Sequence, residues 1–193
     1  MKKLGLILMI LGLCAASAAG LEEKTSSPKL RRAPDFTLSD CEGKQVSLAD
    51  FRGRVVLLQF FQTGCPTCQA EAPILEKVYR KFKDQGVVVM GVSHDPGGAE
   101  AVKAFAKRFD LTYFLLLGDI EIAVRYLGLT PQKPNFDIPH FFVIDREGHI
   151  IKDIEPAHSP DFARSPEGAL EQSIEEALAS PQPVHPRSTA SPN

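Results

Sequence analysis

Val55-Val56-Leu57-Leu58-Gln59-Phe60-Phe61 leads, through Gln62-Thr63-Gly64, into Cys65-Pro66-Thr67-Cys68. The first seven residues are almost continuously apolar, as expected of a strand covered on both faces. Beyond the cysteines, Ile74, Leu75, Val78, Tyr79 and Phe82 recur at helical spacing, with Glu76 and Arg80 paired at i, i+4 on the polar side. Val87-Val88-Val89-Met90-Gly91-Val92 is a second apolar strand, so the whole reads as a β-α-β unit with a cysteine pair at its strand-to-helix turn. There the Cys65 sulfur meets unsatisfied backbone N–H groups at a helix N-terminus, which favour thiolate over thiol. Two intervening residues bring Cys68 under Cys65, where it can resolve a mixed disulfide or close an internal one. Cys65 is the expected nucleophile and Cys68 the resolver. A structural zinc half-site would need two more ligands, and no second Cys-x-x-Cys or His-x-x-x-His accompanies this one. A purely structural disulfide is the other alternative.

Outward from this unit the elements keep alternating. A helix is expected over about Ala99 to Phe109, a strand over Phe114 to Leu117 and a short helix over Ile120 to Leu127. Phe141 to Ile144 and His149 to Ile151 flank the turn Asp145-Arg146-Glu147-Gly148 and should form an antiparallel hairpin. A last helix opens at Ser165-Pro166-Glu167 and runs through Leu170, Ile174 and Leu178. The pattern predicts an α/β fold, a central mixed sheet with helices on both faces. Pro73 predicts a kink in the first helix.

The chain has 193 residues, 44% hydrophobic and 24% charged, which suits one globular domain and excludes collagen-like and polytopic membrane classes. Twenty-two Lys plus Arg against 24 Asp plus Glu give a net charge of −2 with no basic run, so no nucleic-acid partner is expected. Met1-Lys2-Lys3, the apolar Leu4 to Leu13 and the small residues to Gly20 form a secretory pattern, read as a signal peptide over 1–19. The apolar run is too short to span a bilayer. Lipid anchoring through Cys14 is disfavoured because Leu13 precedes it. A periplasmic or otherwise exported protein follows, its folded domain over 33–179, with a polar linker over 20–32 and a Pro- and Ser-rich disordered tail over 180–193.

Cys65-Pro66-Thr67-Cys68, Pro73 five residues on, and Ile138-Pro139 just before a strand resemble the thioredoxin superfamily. Ala33-Pro34-Asp35-Phe36-Thr37-Leu38, Gly43-Lys44, Gly53-Arg54-Val55-Val56-Leu57, Gly91-Val92-Ser93 and Phe142-Val143-Ile144-Asp145-Arg146-Glu147-Gly148 narrow the resemblance. They are similar to the exported reductases of the cytochrome-maturation type, the TlpA/ResA-like and AhpC/TSA-related redoxins. The resemblance covers about Ala33 to Glu155. It implies a thioredoxin fold with an added N-terminal β-hairpin, a redox-active Cys65/Cys68 disulfide with no other cofactor and no metal, and Pro139 in cis in a substrate-docking groove with Gly64, Pro66 and Thr67. The implied partners are a substrate protein with a disulfide or dithiol and an upstream membrane electron donor, the chain itself being a monomer.

Several positions depart from that family's pattern. Relatives carry Trp before the first cysteine, where this chain has Gly64 and no Trp anywhere. Gln59 stands where thioredoxins place a buried acid, either as a hydrogen-bonded strand residue or as an aid to proton transfer. His94, after the second strand, falls about where some relatives have a buried Glu, and either transfers protons or sits in a solvated loop. With His140 it leaves open a copper site including Cys65 and Cys68, hence a copper- or haem-assembly chaperone without turnover. A peroxiredoxin-like peroxidase is the other alternative, although the Thr it wants three residues before the nucleophile is Gln62 here. Cys41, in the turn Asp40-Cys41-Glu42-Gly43, is read as an inert thiol or a third redox partner. Thr130 to Asp137 reads as an insertion rimming the site.

Overall fold

A computed structural model describes residues 30–180. The expected signal peptide, most of the linker and nearly all of the tail lie outside the described residues.

Six strands form one sheet: β1 (Arg31–Arg32), β4 (Val55–Phe61), β5 (Val87–Ser93), β6 (Phe114–Leu117), β7 (His140–Ile144) and β8 (His149–Ile154), after the separate hairpin β2 (Thr37–Ser39) and β3 (Gln45–Ser47). The spatial order is β1-β8-β7-β4-β5-β6, with β4, β5 and β6 parallel and β1, β8 and β7 antiparallel to their neighbours. Helices α1 (Pro66–Phe82), α2 (Gly98–Phe109), α3 (Ile120–Leu127), α4 (Pro160–Arg164) and α5 (Pro166–Ala179) cover it. This is the expected thioredoxin-type layering with its N-terminal hairpin.

Every residue of β4 and β5 is buried, which explains their unbroken apolar runs. Alternation along β4 divides the core in two. Val55, Leu57 and Phe61 pack with Leu75, Val78 and Phe82 of α1, Phe105 of α2 and Ile174 of α5. Val56, Leu58 and Phe60 face Leu38 and Val46 of the hairpin and Ile122 and Tyr126 of α3. Burying side chains of this size stabilises the fold by roughly 1.5–3 kcal/mol each.

Four details go beyond the sequence reading. Arg31 and Arg32, placed in the linker, pair with Ile150 and His149 and extend the sheet. Strand β8 runs three residues further than expected, with a register shift between Val143 and Ile144. Glu76, assigned to the polar face of its helix, is buried, accepting from Arg80 and from the Thr112 backbone N–H and hydroxyl. Helix α4 was missed because five residues are too few to show a period. Its signal is Ser159-Pro160, an N-cap whose hydroxyl accepts from the Phe162 N–H, followed by Pro in the first turn.

Candidate active site

Chain direction brings the site together: β4 ends where α1 begins, and the loop entering β7 returns beside it. Cys65 is the N-cap of α1, and its sulfur accepts from the Cys68 N–H at 3.4 Å. Cys65 is half-buried, whereas Cys68 lies in the core at 1% exposure. Both are unbridged thiols. Burial, with the neighbouring Cys65 sulfur, pushes the Cys68 thiol well above its ordinary range. The outer cysteine is thus half-buried at a helix N-terminus, while burial favours the protonated form of the inner one.

Across from the cysteines, the Ile138-Pro139 peptide is cis, and the Cys65 thiol reaches the Ile138 carbonyl at 3.8 Å. Pro139 and Thr67 line a groove of about 320 Å³. Its far wall is Pro156, Ala157 and Phe162, from the turn Pro156–His158 and from α4. Phe162 is buried against Phe141, 5.4 Å between ring centroids, which locks that wall to the sheet. Asp137, the end of the insertion, is on the rim. Gly64 and Pro66, expected in the docking groove with Thr67, are exposed but do not line it, and the space a Gly64 side chain would fill is open.

The groove also meets Glu71, which the sequence reading did not single out. It lies three residues beyond Cys68, so one helical turn puts both on the buried face of α1. Glu71 is 4% exposed, and its Oε2 has no hydrogen-bond partner among the described residues. Burial pushes its carboxyl up to about 8. The available signal was an acid in phase with Cys68, Ala72 and Leu75, on the face the apolar stripe sends inward.

Gln59 shares this side of the sheet, since it pairs with Gly91 and Phe141 and alternates with Leu57 and Phe61. It is buried, and its Nε2 finds no partner among the described residues. His94 and His140 do not join the cysteines. The His94 ring stacks on Phe60 at 5.6 Å and meets Phe136, on the hairpin side of the sheet. Burial holds its pKa down and favours the neutral ring. His140 stacks on Phe142 on that same side, its Nε2 2.7 Å from Asp153 Oδ1. The copper set considered from the sequence is therefore not assembled. Among the described residues no group of three or more His, Cys, Asp or Glu is arranged to hold a metal. Cys41 lines a separate cavity with Lys103, Leu111 and Tyr113, where burial, with Glu42 and Asp40, raises its thiol pKa.

The AhpC/TSA family model matches residues 30–153. Thiol-disulfide oxidoreductase ResA of Bacillus thuringiensis subsp. konkukian (strain 97-27) is 32% identical over 156 residues, spanning 77% of this chain and 85% of its own. The thioredoxin domain of a thiol-disulfide oxidoreductase from Bacteroides vulgatus superposes with a TM-score of 0.61 at 28% identity, covering 77% of this chain and 99% of that one. A thiol:disulfide interchange protein from Chlorobium tepidum TLS shares the fold, with a TM-score of 0.67 at 24% identity over 79% of this chain and 99% of its own. No helix among the described residues is long and apolar enough to cross a membrane. Family match, relatives and fold agree: the chain belongs to the AhpC/TSA family of the thioredoxin superfamily and is a thiol:disulfide oxidoreductase of the ResA-like type.

Proposed function

We propose that this enzyme is an exported, monomeric reductant that exchanges its Cys65/Cys68 dithiol with disulfides of other exported proteins, as in cytochrome c maturation. One observation carries the reading: the Cys65 sulfur lies at the α1 N-terminus, between the Cys68 N–H and the Ile138 carbonyl, beside a groove that includes Pro139. A substrate segment lies along Pro139 and Thr67. The Cys65 thiolate attacks one sulfur of its disulfide, the substrate S–S bond breaks, and the departing sulfur takes a proton. Cys68 then gives its proton to Glu71 in its ionised form, a fraction that grows as pH rises toward about 8, and attacks the Cys65 sulfur. The mixed disulfide bond breaks, the second substrate sulfur leaves as a thiolate and takes up a proton, two electrons have passed to the substrate, and the enzyme holds a Cys65–Cys68 disulfide. A membrane electron donor restores the dithiol. Gln62, where a peroxidase wants Thr, is committed to the His94 carbonyl at 3.0 Å, which favours exchange over peroxide reduction.

The test is turnover of a disulfide-bonded protein supplied with a chemical reductant. Wild type should accelerate reduction and Cys65→Ser should lose the acceleration. Equal rates for the two would overturn the reading. As a reductant the couple should titrate below about −150 mV, and a higher value would make it an oxidant.

A further inference from the structure

Cys65 follows Gly64, which brings no side chain to anchor the loop and has open space around it. The loop is instead held by polar contacts from the turn after β5. The Thr63 N–H donates to Asp95 Oδ2 at 2.9 Å, and the Thr63 hydroxyl donates to the same oxygen. The other carboxylate oxygen, Oδ1, accepts from the Gly97 N–H at 2.8 Å, and the Asp95 N–H donates to the Ser93 hydroxyl. Asp95 is thereby fixed before it fixes Thr63. From the opposite side the Thr63 carbonyl accepts from Gln69 Nε2 of α1 at 2.8 Å, and the Cys65 N–H donates to the Gln62 carbonyl.

We propose that Asp95 is the positioning residue for the nucleophile: by clamping Thr63 it fixes the glycine hinge that would otherwise let Cys65 drift from the Cys68 N–H and from the docked disulfide. A carboxylate suits this task because one oxygen accepts two donors from Thr63 while the other remains on Gly97; a neutral amide offers one acceptor oxygen for all three. The Thr63 hydrogen bond also holds the Asp95 carboxyl below the usual range, so the clamp stays ionised. Asp95 touches neither sulfur and acts through the Thr63 backbone N–H and hydroxyl. The inference rests on the reading of Cys65 as the attacking thiol.

Asp95→Ala, Thr63→Val and Thr63→Ser, in the otherwise intact chain, are compared with wild type in turnover of a disulfide-bonded peptide. Iodoacetamide alkylation of Cys65, read by peptide mass mapping, is measured alongside. Asp95→Ala should lower kcat about tenfold with KM within about twofold, because positioning is lost and docking is not. Thr63→Val should cost about threefold, and Thr63→Ser, which keeps the hydroxyl, should recover most of that loss. Alkylation of Cys65 should slow in the same order. Folded variants that keep wild-type kcat and alkylation rate, or that lose through KM alone, overturn the proposal. If Asp95→Ala does not fold, the Val and Ser pair decides. If wild type itself shows no exchange, the reading of function fails, and the alkylation series still tests the clamp.

Discussion

Glu71→Gln should change the pH dependence of stability in a defined direction. In the folded protein the carboxyl is pushed up to about 8 by burial, against roughly 4.3 for a free glutamate. Between those values the unfolded chain has released the proton and the folded chain keeps it. Wild-type stability therefore carries no penalty from Glu71 below about pH 4 and loses up to about 1.4 kcal/mol per pH unit as pH rises, the loss ending near pH 8. The full window amounts to roughly 4–5 kcal/mol for a fully desolvated carboxyl, and because Glu71 lines the groove the expected range extends down to about 2 kcal/mol. The amide of the variant cannot ionise, so its contribution is flat. The assay is urea unfolding of both proteins, kept reduced, at each pH unit from about 5 to 9, the span that brackets the raised value. Other titrating groups cancel in the difference, and any constant offset from the amide leaves the slope untouched. The gap should move in favour of the variant by about 2–4 kcal/mol, mostly between about pH 5 and 8. A gap constant within about 0.5 kcal/mol would refute the raised pKa and remove the basis for Glu71 as the base serving Cys68. Resolution of the mixed disulfide should also slow in the variant by at least about tenfold in stopped-flow exchange.

Glu76→Ala strips a buried carboxylate from Arg80 and from both Thr112 donors, so denaturant unfolding should report a loss of about 2–3 kcal/mol at neutral pH. Burial of Glu76 works against its charge, but the Thr112 and Arg80 hydrogen bonds outweigh it and hold its pKa low. Its contribution is present above about pH 4 and is lost as pH falls through the lowered value, so the gap between variant and wild type should shrink in acid. Gly118→Ala would put a methyl 2.5 Å from Val92 Cγ1 and 2.8 Å from His94 Cε1, displacing the ring from Phe60; thermal unfolding should show a cost of about 1–3 kcal/mol.

The fold was legible because its central strands are covered on both faces and therefore wholly apolar, and because the helix starts carry their own caps. Asp119, whose carboxylate accepts from the Ile122 N–H, and Ser165, whose hydroxyl accepts from the Gly168 N–H, mark the entries to α3 and α5. The placement of Cys65 beside Cys68 and the cis Ile138-Pro139 peptide was legible because a motif and its spacing carry it. His94 and Glu71 were not, for one reason: both depend on which side of an element faces the thiols. His94 ends a strand in a loop, where alternation gives no face, and the structure turns it onto Phe60. Glu71 reads as a surface residue by type, and only its phase on α1 sends it inward. The Asp95 clamp joins residues 32 positions apart, which no local pattern announces.

The central claim, that Cys65 attacks and Cys68 resolves, is tested most directly by trapping. A Cys68→Ser variant incubated with a disulfide-bonded substrate should accumulate a mixed disulfide that mass mapping assigns to Cys65, and the double Cys65→Ser, Cys68→Ser variant should accumulate none. Absence of an adduct in the single variant, or an adduct carried by Cys41, would contradict the account.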